Sequence, residues 1–214
     1  MALADDTRER LLEAAGQIFA EKGFRSATVR DICEKAGVNI AAINYHFGDK
    51  EKLYIAAVQH AHSCRIEEVP LPDWGEETPP ERKLRDFIRV MIERVVVSDA
   101  PTWHLQLIMR EMVEPTAACE VLVNENIRPM AQVMSGILAE LLPADMPEHQ
   151  RFLFAFSIVG QCLFHRTHRP IIALLVGEDG FRKYTGEVLA EHITQFTLAA
   201  LGHAPPIGKR KGKP

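Results

Sequence analysis

Residues 38–53 read VNIAAINYHFGDKEKL, and the meaning of this stretch decides the fold. Asn39 is a plausible N-cap, its side-chain oxygen available to a free backbone N–H. A short helix over 40–47 follows, Gly48 breaks it, and Asp49 caps a further helix running into the sixties. Phe47 suits a core, but Asn44, Tyr45 and His46 put an amide, a phenol and an imidazole on one short helix. Just upstream, Thr28 with Asp31 signals another N-cap. Ile32, Cys33 and Ala36 give that helix an inner face, and Gly37 stops it. Two short helices joined by KAGVN follow the helix-turn-helix plan, whose second helix enters the major groove. Spacing alone is a weak signal, because many helical corners share it.

The residue types strengthen it. Ile40, Ala41 and Ala42 make a small, smooth edge whose methyls can meet thymine, and Asn44 can bridge adenine N6 and N7. Tyr45 and His46 carry donors suited to phosphate oxygens. Lys50 opens the next helix, where free N–H groups and the helix dipole also favour an anion. The polar aromatics then have a reason to be exposed: their partner is a DNA backbone.

The rest of the chain reads as helix. Leu11, Leu12, Ala15, Ile18 and Phe19 recur at amphipathic spacing, between a cap at Asp6 with Glu9 and a terminating Gly23. Residues 69–80, VPLPDWGEETPP, break the pattern and read as a connection. Helices are expected near 81–98, 102–113, 117–142, 148–169 and 181–202, with Pro129 kinking or splitting the third. The apolar PIIALLVG at 170–177 reads as a short helix, and no repeat or strand pattern emerges. The fold class is therefore all-α, with a division into 1–53 (helix-turn-helix), 54–80 (connecting helix and linker), 81–203 (sensing and dimerisation) and 204–214 (disordered basic tail).

Residues 7–58 resemble the DNA-binding domain of the TetR family of bacterial repressors. The resemblance rests on AEKGF, the TVRDI entry to the second helix, AGV and YHFGDKEKL, at fixed offsets over some fifty residues. By position it implies that Thr28 and Arg30 touch the DNA backbone and sometimes a base. Ile40, Ala41, Ala42 and Asn44 would face bases, and Tyr45, His46 and Lys50 phosphates. Ile32, Ala36, Val38, Ile43, Phe47 and Leu53 would form the small core. The chain departs from many relatives at Ile40 and Asn44, so an operator cannot be borrowed. Further on, REMVEPT (110–116), SIVGQCLFHR (157–166) and AEHITQFTLAAL (190–201) are similar to the CecR branch. That resemblance implies a ligand-sensing domain and a homodimer built from the helices at 148–169 and 181–202.

Charge sets limits on this reading. The net charge is −4. Residues 1–64 hold 8 Lys+Arg against 9 Asp+Glu, and the tail adds Lys209, Arg210, Lys211 and Lys213. The region between therefore carries −7. Any DNA binding must rest on a few placed groups rather than on a basic domain. The tail could add non-specific phosphate contacts or simply be solvated. No apolar run is long enough to span a bilayer. MALADDTRER lacks a secretory leader, so a cytoplasmic location and no membrane partner are expected.

The acidic body is the place for an effector. Trp103, His104, Met109, Arg110, Met130, Met134, Phe156, Gln161 and His165 are the candidate lining for an amphipathic or aromatic small molecule. Simple core and surface roles are the competing reading for the cluster at 103–111. Cys162, His165 and His168 could be metal ligands on one helix face. A polar pocket lining or a dimer face is the favoured account of them, and no metal or other cofactor is assigned. Cys33, Cys64, Cys119 and Cys162 show no CxxC and read as reduced thiols. His60 and His62 read as solvent-facing. No GxSxG, P-loop, GxGxxG or HExxH is present, and an enzyme is not expected. Two functions remain: a ligand-responsive dimeric repressor, or a helical small-molecule or metal-binding protein with a vestigial DNA-binding domain.

Overall fold

The computed structural model describes residues 2–97 and 101–205. The four basic residues of the tail lie outside them. Eleven helices and no strand are found among the described residues. They are α1 (Ala2–Ser26), α2 (Val29–Ala36), α3 (Ile40–His46), α4 (Lys50–Glu68), α5 (Pro80–Ile92) and α6 (Thr102–Val113). Then come α7 (Ala117–Leu122), α8 (Arg128–Leu141), α9 (Glu148–Thr167), α10 (Arg169–Phe181) and α11 (Gly186–Ala200). The all-α reading is correct. None of these helices is long and apolar enough to cross a membrane.

Packing divides the chain into two compact units that interleave along the sequence. One is Met1–Glu68 with Asp99–Pro129, the other Val69–Ser98 with Met130–Pro214. The expected linear succession gives way because α6 and α7 pack on α1 and α4 rather than with the later helices. In the first unit Leu11, Ala15, Phe19, Ile32, Ile43, Leu53, Ala57 and Leu107 are at most 1% exposed. Removing each large apolar side chain from water contributes about 1.5–3 kcal/mol. Ala36, Val38 and Phe47 are half-buried against the same core. Helical geometry is lost at Gly23 (φ 77°), where the sequence placed the end of the first helix.

The second unit is built on α5, α8, α9 and α11. Leu84, Phe87, Ile88 and Ile92 recur at helical spacing and meet Met134, Ile137, Leu138, Ile158, Cys162, Leu189 and Ile193. Two five-residue π turns interrupt the α geometry, at Glu93–Val97 and Val123–Ile127. The second lies just before Pro129, and there the Arg128 N–H reaches back to the Val123 carbonyl. Proline offers no N–H, and its ring would strike the carbonyl four residues back. The wider turn accommodates it, so the long helix expected at 117–142 is split into α7 and α8.

A single residue, His168, separates α9 from α10, so the stretch at 170–177 is helical, but Gly177 (φ 73°) breaks it. The last helix starts at Gly186, not at 181, because Thr185 caps it by accepting from the Val188 N–H at 3.3 Å.

Candidate nucleic-acid interface

Helix α2 is held by a reciprocal cap. The Asp31 N–H donates to Thr28 Oγ1 at 3.1 Å, and the Thr28 N–H donates to Asp31 Oδ2 at 3.2 Å. Lys22 adds an ion pair to Asp31 at 3.1 Å. These bonds hold the Asp31 carboxyl below its ordinary range, Lys22 first and Thr28 second. Gly37 (φ 66°) terminates α2 through its N–H to the Cys33 and Glu34 carbonyls. A left-handed residue here favours glycine, and the turn to Asn39 depends on it. The Asn39 side chain then accepts from the Ala42 N–H at 3.1 Å and starts α3. Asp49 accepts from the Lys52 N–H at 2.8 Å and starts α4.

This scaffold sorts α3 by face. Ile43 is 1% exposed and Ala42 packs beside it against the core, while Ile40, Ala41, Asn44 and Tyr45 face solvent. Tyr45 is 81% exposed, its ring edge-on to His46 with centroids 4.9 Å apart. The outward stripe is therefore 40, 41, 44 and 45, the i, i+1, i+4, i+5 pattern of one helix face. Ala42 and His46 lie at its flank, half-buried, so the smooth edge narrows to Ile40 and Ala41. Thr28 and Arg30 are exposed at the start of α2. The Lys50 ammonium lies 4.7 Å from the centre of the Phe24 ring, and Arg8 stacks over Phe47 at 5.5 Å. Among the described residues no carboxylate pairs with Lys50, so its three donors remain available to an anion.

The nine candidate effector residues do not come together within one unit. Trp103, His104, Met109 and Arg110 belong to the first, and Met130, Met134, Phe156, Gln161 and His165 to the second. Trp103 is a core residue. Its Nε1–H donates to Glu13 Oε1 at 2.9 Å, and it lies so close to α1 that a Cβ on Gly16 would fall 2.1 Å from the ring. His104 is 4% exposed and Met134 1%, while Phe156 is 65% exposed and Gln161 donates to Ser157 O on its own helix. Arg110 lines a cavity of about 690 Å³ beside Gly23, Tyr54 and Thr116. His165 lines a separate one of about 240 Å³.

His60 is half-buried, stacked beside Trp103 and edge-on to His104, rather than solvent-facing. Cys162 is fully buried, which pushes its thiol up to about 12, and His168 stacks on Phe164 at 4.4 Å. Among the described residues no three His, Cys, Asp or Glu side chains gather to hold a metal ion.

Two arrangements escaped the sequence. Tyr54 and Glu111 share a buried hydrogen bond across 57 residues. Arg169, Arg182 and Tyr184 meet His165 around the 240 Å³ cavity. Neither arrangement leaves a local signal: Tyr54 and Glu111 sit on different helices, and Arg182 and Tyr184 lie in the turn after α10, at no helical spacing from His165 and Arg169.

Two family models match the chain. The family described as bacterial regulatory proteins, tetR family, matches residues 11–57. The C-terminal domain of the HTH-type transcriptional dual regulator CecR matches residues 80–201. The chain is 28% identical to CecR of Shigella flexneri over 204 residues, 89% of each protein. It is 38% identical to the HTH-type transcriptional repressor NicS of Pseudomonas putida, over 82% of this chain and 83% of that one. Among solved structures, AibR in complex with isovaleryl coenzyme A and operator DNA superposes with a TM-score of 0.63 at 17% identity, covering 94% of this chain and 98% of that one. At that identity the likeness speaks for the fold.

Proposed function

The chain belongs to the TetR family of bacterial transcriptional regulators, with a CecR-type C-terminal domain, and from this we propose that it is a dimeric, ligand-responsive repressor of a palindromic operator. The family is one of regulators rather than enzymes. One observation carries the proposal: a capped two-turn helix whose core face is sealed by Ile43 while Asn44 and an 81%-exposed Tyr45 face outward. A solvent-facing phenol and amide on a rigidly seated helix suit a major groove. Thr28, Arg30, His46 and Lys50 flank that face as phosphate contacts, and Ile40, Ala41 and Asn44 face bases, with Ala42 at the edge.

One such helix reads only a few base pairs, so two are needed, about 34 Å or somewhat more apart, and the site has two-fold symmetry. Exposed apolar side chains on α9 (Leu153, Phe156, Phe164) and α11 (Val188, Phe196) are the face a second copy would cover. The input is a small molecule that binds the DNA-releasing conformation more tightly than the DNA-bound one, since equal affinity shifts nothing. A coupling of about 1–3 kcal/mol loosens the operator roughly 5- to 150-fold. The protein acts in the cytoplasm, where its operator is.

Selection of bound DNA from a random pool is the test. A selected inverted repeat supports the reading. Selected sites without two-fold symmetry, or no enrichment at all, overturn it and favour a helical binding protein with a vestigial DNA-binding domain.

A further inference from the structure

The second unit holds a cavity of about 240 Å³ where α9, α10 and the start of α11 meet the π turn after α5. Its apolar side is Val96, Ile172, Leu189 and the ring of Phe181. Its polar side is His165, Arg169, Arg182 and Tyr184. The break at Gly177 turns the last residues of α10 back, and the Phe181 ring lies under the Arg169 guanidinium, 4.9 Å from its centre.

Two features of this lining point to an anion. It contains two guanidiniums and no carboxylate, although residues 65–208 carry a net −7. The guanidiniums are also uncommitted. Among the described residues Arg169 makes no ion pair or hydrogen bond through its side chain. Arg182 reaches only Glu178 at 3.8 Å and Asp179 at 4.0 Å, both almost fully exposed, so water screens these contacts and a ligand can replace them. The Tyr184 hydroxyl has no hydrogen-bond partner among the described residues. His165 is held below the ordinary imidazole value, by burial first and His192 second, so its neutral ring can donate or accept.

Size and floor narrow the class. The cavity lies below the ~300–1,000 Å³ of drug-sized sites, so the guest is small. Four apolar side chains along one wall would leave oxygens of an inorganic phosphate unsatisfied, at a desolvation cost. A carboxylate uses the planar fork of an arginine and leaves an apolar body to meet that wall.

We propose that the cleft between α9, α10 and α11 binds a small organic monocarboxylate with an aromatic or branched aliphatic body. Its carboxylate lies between Arg169 and Arg182, within reach of Tyr184, and its body lies on Ile172, Phe181 and Leu189. Occupancy ties the end of α10 and the turn after it to the first turn of α10 and to α11. The role of this site as the effector site rests on the regulator reading above; the binding itself does not.

The test is calorimetric titration of the full chain with benzoate and with isovalerate. Benzamide and inorganic phosphate serve as comparators. At least one carboxylate is expected to saturate at one per chain. Arg169→Gln and Arg182→Gln are each expected to weaken it tenfold or more, while Lys83→Gln leaves it unchanged. Benzamide is expected to bind at least tenfold more weakly than benzoate, and phosphate not to compete. Circular dichroism checks the variants; the Arg169 and Arg182 side chains are exposed, and Lys83 gives up an ion pair with Glu140. Absence of binding by both carboxylates, or arginine variants that bind like the wild type, overturns the site. Competition by phosphate at equal concentration overturns the apolar-body part. Operator affinity, measured separately, distinguishes the two readings: carboxylate binding that leaves it unchanged removes the effector role. A protein that selects no DNA refutes the regulator while the calorimetry still decides the site.

Discussion

The Tyr54 hydroxyl donates to Glu111 Oε2 at 2.7 Å, joining α4 to α6 inside the first unit. Glu111 is fully buried, and its carboxylate also accepts from the Thr116 N–H at 2.6 Å and from the Thr116 hydroxyl. Burial, followed by the Glu111 carboxylate, pushes the Tyr54 phenol well above its ordinary range. The phenol therefore keeps its proton and serves as a fixed donor. Tyr54 also packs edge-on to Phe19 at 4.9 Å and against Phe24 at 5.0 Å. The helix that follows α3 is thus fastened both by an aromatic cluster and by a buried polar contact.

Tyr54→Phe keeps the aromatic contacts and removes the donor. It should lower stability by about 1–3 kcal/mol, the cost of leaving a buried acceptor with one partner fewer. Urea titration of wild type and variant measures the loss. An unchanged midpoint would mean that water or Thr116 fully replaces the phenol.

Asn44→Ala should relax the preference at one base pair, costing about 1–3 kcal/mol there, and leave other positions unaltered. Lys50→Ala should weaken all sequences alike and reduce the slope of log affinity against log salt by about 1. Repeating the DNA selection and the salt titration with each variant separates reading from positioning.

Two glycines should respond in opposite directions. Gly16→Ala puts a Cβ 2.1 Å from the Trp103 ring and should destabilise by about 1–3 kcal/mol. Gly136→Ala lies on an exposed turn of α8 with nothing within 4 Å and should stabilise by roughly 0.5–1 kcal/mol. Thermal unfolding of both variants checks the signs.

His104 lies below its ordinary value of 6.5, through burial first and the nearby His60 second. A depressed imidazole means that the unfolded chain binds the proton more readily. Stability is full above pH 6.5 and falls as the pH drops below it, until the folded state also protonates. His165 is shifted in the same direction. Urea midpoints between pH 7.5 and 5 should therefore decline, and His104→Asn should flatten the decline. A wild-type midpoint constant over that range would contradict the burial argument.

Phe156→Glu with Phe196→Glu should yield a monomer by light scattering at micromolar concentration while helicity is kept, because both side chains are about half or more exposed in the single chain. A dimer that survived the pair would place the interface elsewhere.

The sequence by itself determined what is local. Caps at Thr28, Asn39 and Asp49, stops at Gly23, Gly37 and Gly48, and the exposure of Tyr45 are consequences of residues within one turn of each other. Periodicity and the family motifs carry them without reference to the rest of the chain. It also fixed the all-α class, and the disruption at Pro129, since a missing N–H acts wherever the residue lies.

Tertiary structure decided which helices share a core. Apolar content marked Phe156, Ile158, Val188, Leu189, Ile193 and Phe196 alike, yet packing buried Ile158, Leu189 and Ile193 and left Phe156, Val188 and Phe196 exposed. A helical pattern shows that a face is apolar, not which neighbour covers it. For the same reason Trp103, which read equally as cavity wall or core, packs on Gly16 and bonds Glu13. The nine effector candidates fall into two units because α6 packs with α1 and α4, an assignment made by contacts about 90 residues apart in sequence. The Tyr54–Glu111 bond and the Arg169–Arg182–Tyr184 cluster are of this kind. Their chemistry depends on where helices cross, and crossing is a property of whole surfaces rather than of any short stretch.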